Sequence, residues 1–152
     1  MDLGGSVTVE MRATPEVVWA VVSDVTRIGE LSPETFEAEW LDGATGPALG
    51  AYFRGHVNRN NSGLVYWARC RVTDCQPGRT FGFEVGMGDV WINTWRYEIA
   101  PSPTGCTVTE SFRLRDTWSN RTYWGLLGRW RGRTNARGMA QTLARVKAIV
   151  EG

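Results

Sequence analysis

The chain has 152 residues, of which 42% are hydrophobic and 22% are charged. This length matches one ordinary domain, so we expect a single domain over residues 1–152. The composition is typical of a globular protein and excludes a disordered chain. No apolar run approaches the roughly 20 residues of a membrane-spanning helix. The N-terminal residues lack the basic and apolar regions of a secretory signal, so we expect a cytoplasmic protein.

The net charge is only +1, but the basic residues concentrate toward the C-terminus. From Arg113 to Gly152 there are nine basic and two acidic residues. The three cysteines, Cys70, Cys75 and Cys106, form no Cys-x-x-Cys pair, so we interpret them as small buried apolar residues. With one histidine and no cysteine cluster, we expect neither a transition-metal site nor a cofactor.

The predicted elements begin with a strand, because Val7, Val9 and Met11 alternate with polar residues. Thr14 and Pro15 then start a short helix, and Asp24 can cap a second short helix that ends near Leu31. Six strands follow, at about residues 36–41, 51–59, 64–75, 80–85, 90–100 and 106–114. A final helix is predicted over residues 134–150, with an extension back toward Tyr123.

The connections between the predicted strands are short and rich in turn residues. Asn60-Asn61-Ser62-Gly63 indicates a hairpin, and Gln76-Pro77-Gly78-Arg79 has the residues of a type II turn. Short connections join antiparallel neighbours, so we expect an antiparallel meander.

This order of elements predicts a cavity. A seven-stranded sheet must cover its apolar face, but only one long helix is present. The sheet can curl around the helix, which leaves space between its concave face and the helix. The small residues Gly55, Ala68 and Cys70 on this face indicate either tight interdigitation or a void.

Alternation along the strands and helical spacing identify side chains that should face the space. We predict these as ligand-binding residues: Phe53, Tyr66, Cys70, Phe81, Phe83, Trp95, Tyr97, Phe112, Trp124, Met139 and Leu143.

Two residues are candidates for acid–base chemistry. Glu110 shares the inward phase of Val108 and Phe112, and a buried carboxyl has a raised pKa. The alternative is that Glu110 lies at a bulge or at the rim, paired with an arginine. His56 has a suitable pKa for catalysis, but it shares the outward phase of Arg54.

The chain resembles the START-like, helix-grip superfamily, also called SRPBCC, and within it the bacterial polyketide cyclase/dehydrase-like branch. The stretches that carry the resemblance are TPEVVW at 14–19, VTDCQPGRTFGF at 72–83, WRYEI at 95–99, GCTVTES at 105–111 and GMAQTLARVKAIVE at 138–151. The resemblance implies an α+β helix-grip fold: a seven-stranded curved antiparallel sheet around a long C-terminal helix, with two short helices after the first strand. It also implies binding of lipids, polyketides or other hydrophobic molecules, and in some relatives ring closure or dehydration.

The segment 118–133 mixes tryptophan, tyrosine and leucine with arginine. This mixture is found where proteins contact a membrane surface peripherally or bind nucleic acid. The alternative is that the aromatic residues cover the cavity mouth while the arginines are solvated. A net charge near zero argues against nucleic acid as a partner.

The leading functional hypothesis is a carrier or sensor that binds a hydrophobic small molecule, since no catalytic motif is evident. One alternative is a cyclase or dehydratase in which Glu110 moves the proton, assisted by Tyr97. Another is a regulatory module of the stress or toxin–antitoxin type. The sequence leaves open whether the protein is a monomer or a homodimer.

Overall fold

A curved antiparallel sheet wraps around one long helix. The computed structural model describes residues 3–58, 63–88 and 90–152. Its strands are β1 (Gly4–Met11), β2 (Thr35–Trp40), β3 (Tyr52–Asn58), β4 (Val65–Gln76), β5 (Thr80–Met87), β6 (Val90–Ser102) and β7 (Gly105–Leu114). Its helices are α1 (Pro15–Val22), α2 (Ile28–Leu31) and α3 (Trp118–Glu151), with a 3-10 turn at Val25–Arg27 before α2.

The strands form one seven-stranded sheet in the order β1-β7-β6-β5-β4-β3-β2. Every neighbouring pair is antiparallel. The first strand therefore pairs with the last, and β2 forms the opposite edge. This is the helix-grip fold that the sequence predicted.

The start of α1 follows from its local sequence. The Thr14 Oγ1 accepts a hydrogen bond from the Val17 backbone N–H at 3.3 Å, and Pro15 occupies the first turn. The Trp19 Nε1 donates to the Thr80 carbonyl at 2.7 Å, which fixes α1 on the beginning of β5. The core residues of α1 are Val18, Val21 and Val22.

The helix α3 begins earlier than the predicted core of residues 134–150. Thr117 caps it, because its Oγ1 accepts a hydrogen bond from the Asn120 backbone N–H at 3.2 Å. The helix continues through four glycines, so the predicted helix and its N-terminal extension form one element. The C-terminal half packs in the solid core, where Leu143 and Val146 are fully buried with Met11 and Val18. None of the helices in the described part of the chain combines the length and hydropathy needed to cross a bilayer.

The turns agree with the predictions where the structure describes them. The Arg79 backbone N–H donates to the Gln76 carbonyl at 2.9 Å, and Gly78 has a φ of 76°, as a type II turn requires. Residues 60–62 of the predicted hairpin lie outside the described residues.

Register shifts bend the sheet at three places. They lie between Thr35 and Glu37, between Val72 and Asp74, and between Val85 and Gly86. A β-bulge bends its strand and increases the local twist. These shifts therefore contribute to the curvature around α3.

The helix α2 lies very close to β2, and a substitution can test how tightly the two elements pack. A Cβ atom built on Gly29 would lie 2.2 Å from the Phe36 carbonyl oxygen. We expect Gly29→Ala to lower the free energy of unfolding by about 1–3 kcal/mol, because the helix must move away from the strand. Urea unfolding measures this change.

The matched control is Gly46→Ala. A Cβ atom there meets nothing within 4 Å. Its effect should stay within about 0.5 kcal/mol. Equal stabilities of the two variants would contradict the close packing of α2 on β2.

Candidate functional site

A cavity of about 360 Å³ lies between the concave face of the sheet and α3. Most of its strand residues come from β3 to β7, with Thr35 from the start of β2, and its residues from α3 run from Asn120 to Thr142. The segment from Ile28 to Thr35 closes one side. The space that the sequence analysis predicted between the sheet and the helix is therefore present. The small inward residues border a void and are not tightly interdigitated with larger side chains.

The walls of the cavity are largely aromatic. Phe53 packs edge-on against Phe83, with ring centroids 5.1 Å apart, and Trp95 lies 4.8 Å from Phe112. Gly55 and Ala68 face each other across β3 and β4. Because neither has a large side chain, this part of the wall leaves room for a ligand.

Most of the predicted ligand-binding residues line the cavity: Phe53, Tyr66, Cys70, Phe83, Trp95, Tyr97, Phe112 and Met139. Phe81 and Leu143 are placed in the core instead, where both are fully buried. Trp124 packs on Phe112 at a centroid distance of 6.2 Å, outside the lining residues. Alternation gave the correct face for Phe81 but not its depth, since the end of the sheet near α1 is filled by side chains.

Glu110 lines the cavity and is only 4% exposed. It lies away from the rim, and no arginine among the described residues forms an ion pair with it. Burial raises the pKa of its carboxyl to about 8, and a hydrogen bond with the Tyr97 hydroxyl lowers it only partly. Burial, followed by the Glu110 charge, raises the pKa of Tyr97 well above its ordinary value. At neutral pH this carboxyl is therefore mainly protonated.

Three buried side-chain atoms in the described part of the chain have no hydrogen-bond partner. They are the Asn93 Oδ1, the Glu110 Oε1 and the Asn135 Nδ2. All three residues line the same cavity. Native proteins leave few buried polar atoms without a hydrogen-bond partner. Because all three of these atoms belong to residues of one cavity, the cavity is where additional hydrogen bonds can form.

A second polar feature is an ion pair in the cavity wall. Arg131 of α3 is buried, and its Nη2 lies 3.3 Å from the Glu34 Oε2. Both residues line the cavity. The pair connects α3 to the start of β2. Because the two side chains carry opposite charges, they largely neutralise each other at the cavity wall.

His56 lies on the opposite, convex face of the sheet. Its Nδ1 is 2.7 Å from the Glu37 Oε1, and its ring stacks on Trp67 with centroids 4.2 Å apart. The sheet separates this side chain from the cavity.

The segment 118–133 divides its aromatic and basic residues between two faces. Tyr123 and Arg131 point inward and line the cavity. Trp118, Trp130 and Arg129 are exposed. The arginines are thus not all solvated, because Arg131 is buried against Glu34.

Sequence reasoning missed the polar residues Asn93, Asn135 and Arg131. Asn93 has the phase of Trp95 and Tyr97, so alternation could have found it. Asn135 lies one helical turn from both Arg131 and Met139, on the buried face of α3. The burial of Arg131 had no sequence signal, because its partner Glu34 is 97 residues away.

Comparison with known proteins decides the family. A family model described as polyketide cyclase / dehydrase and lipid transport matches residues 5–151. The chain belongs to this family. A search of curated proteins finds none that matches.

Solved structures of other proteins share the fold of this family member. The Polyketide_cyc-like protein Cgl2372 from Corynebacterium glutamicum is 28% identical, with 99% of this chain and 93% of that chain covered and a TM-score of 0.66. Protein CV1439 from Chromobacterium violaceum is 16% identical, with 98% of each chain covered and a TM-score of 0.68.

A third structure is the di-domain ARO/CYC StfQ from the steffimycin biosynthetic pathway. It is 12% identical, with a TM-score of 0.75. The match covers 98% of this chain but only 50% of StfQ. The likeness therefore shows that this polyketide cyclase/dehydrase family member has the same fold as half of that protein.

The protonated state of Glu110 predicts a pH dependence of stability. Between the usual pKa of 4.5 and about 8, the unfolded chain releases this proton while the folded chain keeps it. The free energy of unfolding should therefore fall as pH rises through this window, by up to about 1.4 kcal/mol per pH unit from this group. Glu110→Gln should remove this contribution and raise the stability above pH 7.

Chemical denaturation across this pH range measures the difference between Glu110→Gln and the wild type. Glu98→Gln, an exposed carboxyl on the neighbouring strand, is the control and should keep the wild-type slope. Parallel stability curves for wild type and Glu110→Gln would show that Glu110 ionises normally.

Proposed function

We propose that the protein binds a hydrophobic small molecule in the cavity, as a carrier or a sensor. The observation that carries the proposal is that every buried, unpartnered side-chain atom in the described residues belongs to a residue of this cavity. The volume of about 360 Å³ falls within the range of small-molecule sites. Membership of a family described by cyclase, dehydrase and lipid transport supports a ligand of this kind.

The unpartnered atoms indicate the polar groups of the ligand. A hydroxyl or N–H of the ligand can donate to the Asn93 Oδ1, and a carbonyl or hydroxyl can accept from the Asn135 Nδ2. A buried polar group without a partner costs about 1–3 kcal/mol, so each such contact favours the ligand by a similar amount. A pure hydrocarbon would leave these costs in place.

The positions along the sheet indicate an elongated molecule. Asn93 faces Leu114 across β6 and β7, and Tyr97 faces Glu110. Four residues of strand, about 13 Å, therefore separate the level of Asn93 from that of Glu110. A ligand that reaches both must extend along the strands, with a polar group toward each end.

The charges favour a neutral ligand. Glu110 holds its proton at neutral pH, and Glu34 pairs with Arg131. A charged ligand would lose its hydration without a compensating partner. Aromatic walls favour a flat molecule, so the best candidates are lipid-like, polyketide or aromatic compounds that carry hydroxyl or carbonyl groups.

Filling the cavity should abolish binding. Ala68→Phe places a ring into the open wall opposite Gly55, and we expect at least a tenfold loss of retained ligand. Native mass spectrometry of protein purified from its own host measures the retained mass.

Ala100→Phe, at an exposed position on β6, is the matched control and should retain the ligand. If the wild type carries no molecule, or if Ala68→Phe carries as much as Ala100→Phe, the cavity is not a ligand site.

A second candidate function is catalysis of ring closure or dehydration. It is favoured by Glu110, because a carboxyl with a pKa near 8 can give and take a proton at physiological pH. The relative StfQ is named ARO/CYC. In this function Glu110 would donate its proton to a ligand carbonyl or to a departing hydroxyl, with Tyr97 holding the carboxyl in place.

Replacement of Glu110 separates the two candidates. In an enzyme, Glu110→Gln should lower turnover by about 10²–10⁴-fold while ligand retention stays close to wild type, because only the transferable proton is lost. Chromatography of the molecule retained by each variant, after incubation, shows whether it is converted. Equal conversion by Glu110→Gln and Glu98→Gln would reject the catalytic role but leave the carrier role intact.

A further inference from the structure

Exposed apolar side chains collect at one end of the molecule. In this sheet the starts of β4, β6 and α3 lie at the same end, because β3, β5 and β7 run toward it. Large hydrophobic residues are exposed there: Leu64, Val65, Met87, Val90 and Trp118. Met87 is 63% exposed and also lines the cavity, so the cavity reaches the surface at this end.

The outer face of α3 continues this apolar surface. Leu126 is 80% exposed and Trp130 is 55% exposed, and they lie one helical turn apart. Leu127 beside them is also exposed. A soluble protein rarely exposes such a group of large apolar side chains unless it contacts another surface.

Exposed arginines lie beside Leu126 and Trp130 on the surface of α3. Between residues 118 and 137 the chain has five arginines and no acidic residue. Arg129, Arg133 and Arg137 are exposed and follow one another at four-residue spacing. Within the described residues, no carboxylate forms an ion pair with any of these three side chains.

We propose that this end of the molecule docks on a bilayer that contains anionic lipid. Leu126 and Trp130 enter the boundary between headgroups and acyl chains, and the flanking arginines contact lipid phosphates. Trp118, Met87 and Val90 extend the contact toward the cavity. The inner face of the same helical segment lines the cavity, so a docked bilayer lies beside its mouth.

Charge favours the bilayer over a second copy of the protein. An identical copy of the protein would bring a second unpaired arginine row against the first, which is repulsive. Anionic lipid instead supplies the charge that the arginines lack, and its acyl chains accept the leucine and tryptophan side chains.

Vesicle co-sedimentation of the full chain tests the proposal. The probes are phosphatidylcholine vesicles with and without phosphatidylglycerol, at low and high salt. We expect the wild type to bind phosphatidylglycerol vesicles preferentially and less at high salt. Intrinsic fluorescence is less suitable, because eight tryptophans contribute to it.

Matched variants locate the contact. Leu126→Gln with Trp130→Gln should reduce vesicle binding at least tenfold, whereas Val17→Gln with Leu49→Gln, at exposed sites away from this end, should leave it unchanged. Arg129→Gln with Arg133→Gln should reduce binding about fivefold per arginine and weaken the salt dependence, whereas Arg79→Gln in the β4–β5 turn should not. Circular dichroism should show the same fold in all variants, since every substituted side chain is exposed.

Three outcomes overturn the proposal. One is that wild-type protein does not sediment with phosphatidylglycerol vesicles. Another is that Leu126→Gln with Trp130→Gln binds like Val17→Gln with Leu49→Gln. The last is that the surface around Leu126 and Trp130 binds a second copy of the protein or RNA instead. Light scattering of the purified protein would reveal the second copy, and nuclease treatment would reveal the RNA. Ligand retention in the cavity is measured separately, so failure of docking leaves the proposed function standing.

Discussion

The structure depends on the coverage of a seven-stranded sheet by a single long helix. One helix is too narrow to cover a flat sheet of this width, so the sheet must curl. The C-terminal end of α3 meets a filled interior, with Leu143 and Val146 fully buried. The part of the helix from Asn120 to Thr142 borders a void of about 360 Å³, because Gly55 and Ala68 leave the facing wall open. The same helix therefore stabilises the fold at one end and forms a cavity wall at the other.

The cavity combines apolar walls with a few buried polar atoms that have no hydrogen-bond partner among the described residues. Leaving the Asn93 Oδ1, the Glu110 Oε1 and the Asn135 Nδ2 without a partner is unfavourable, and it is the kind of cost that proteins tolerate at functional sites. Removal from water keeps Glu110 protonated near neutral pH. The group can then act as a neutral hydrogen-bond donor in binding or as an acid in catalysis, and the fold alone does not distinguish these uses.

The segment at the start of α3 presents different residues on its two faces. Its inner face provides Tyr123 and Arg131 to the cavity, and its outer face presents Trp130 and exposed arginines to the surroundings. The wall of the cavity and the exposed surface of α3 are therefore parts of the same short segment. The ion pair between Arg131 and Glu34 holds this segment against the start of β2.

The sequence by itself determined the order of elements, the antiparallel meander and the inward phase of each strand, because period-two alternation and turn chemistry are local properties. It also placed Glu110 on the concave face. Only the tertiary structure decided which inward side chains border empty space: Phe83 lines the cavity, whereas Phe81, two residues away, is packed in the core. Whether an inward side chain is packed in the core or borders the cavity depends on how closely α1 and α3 approach the sheet at that position. The burial of Arg131 likewise required Glu34, a partner distant in sequence, since desolvation and pairing arise only when separate segments meet.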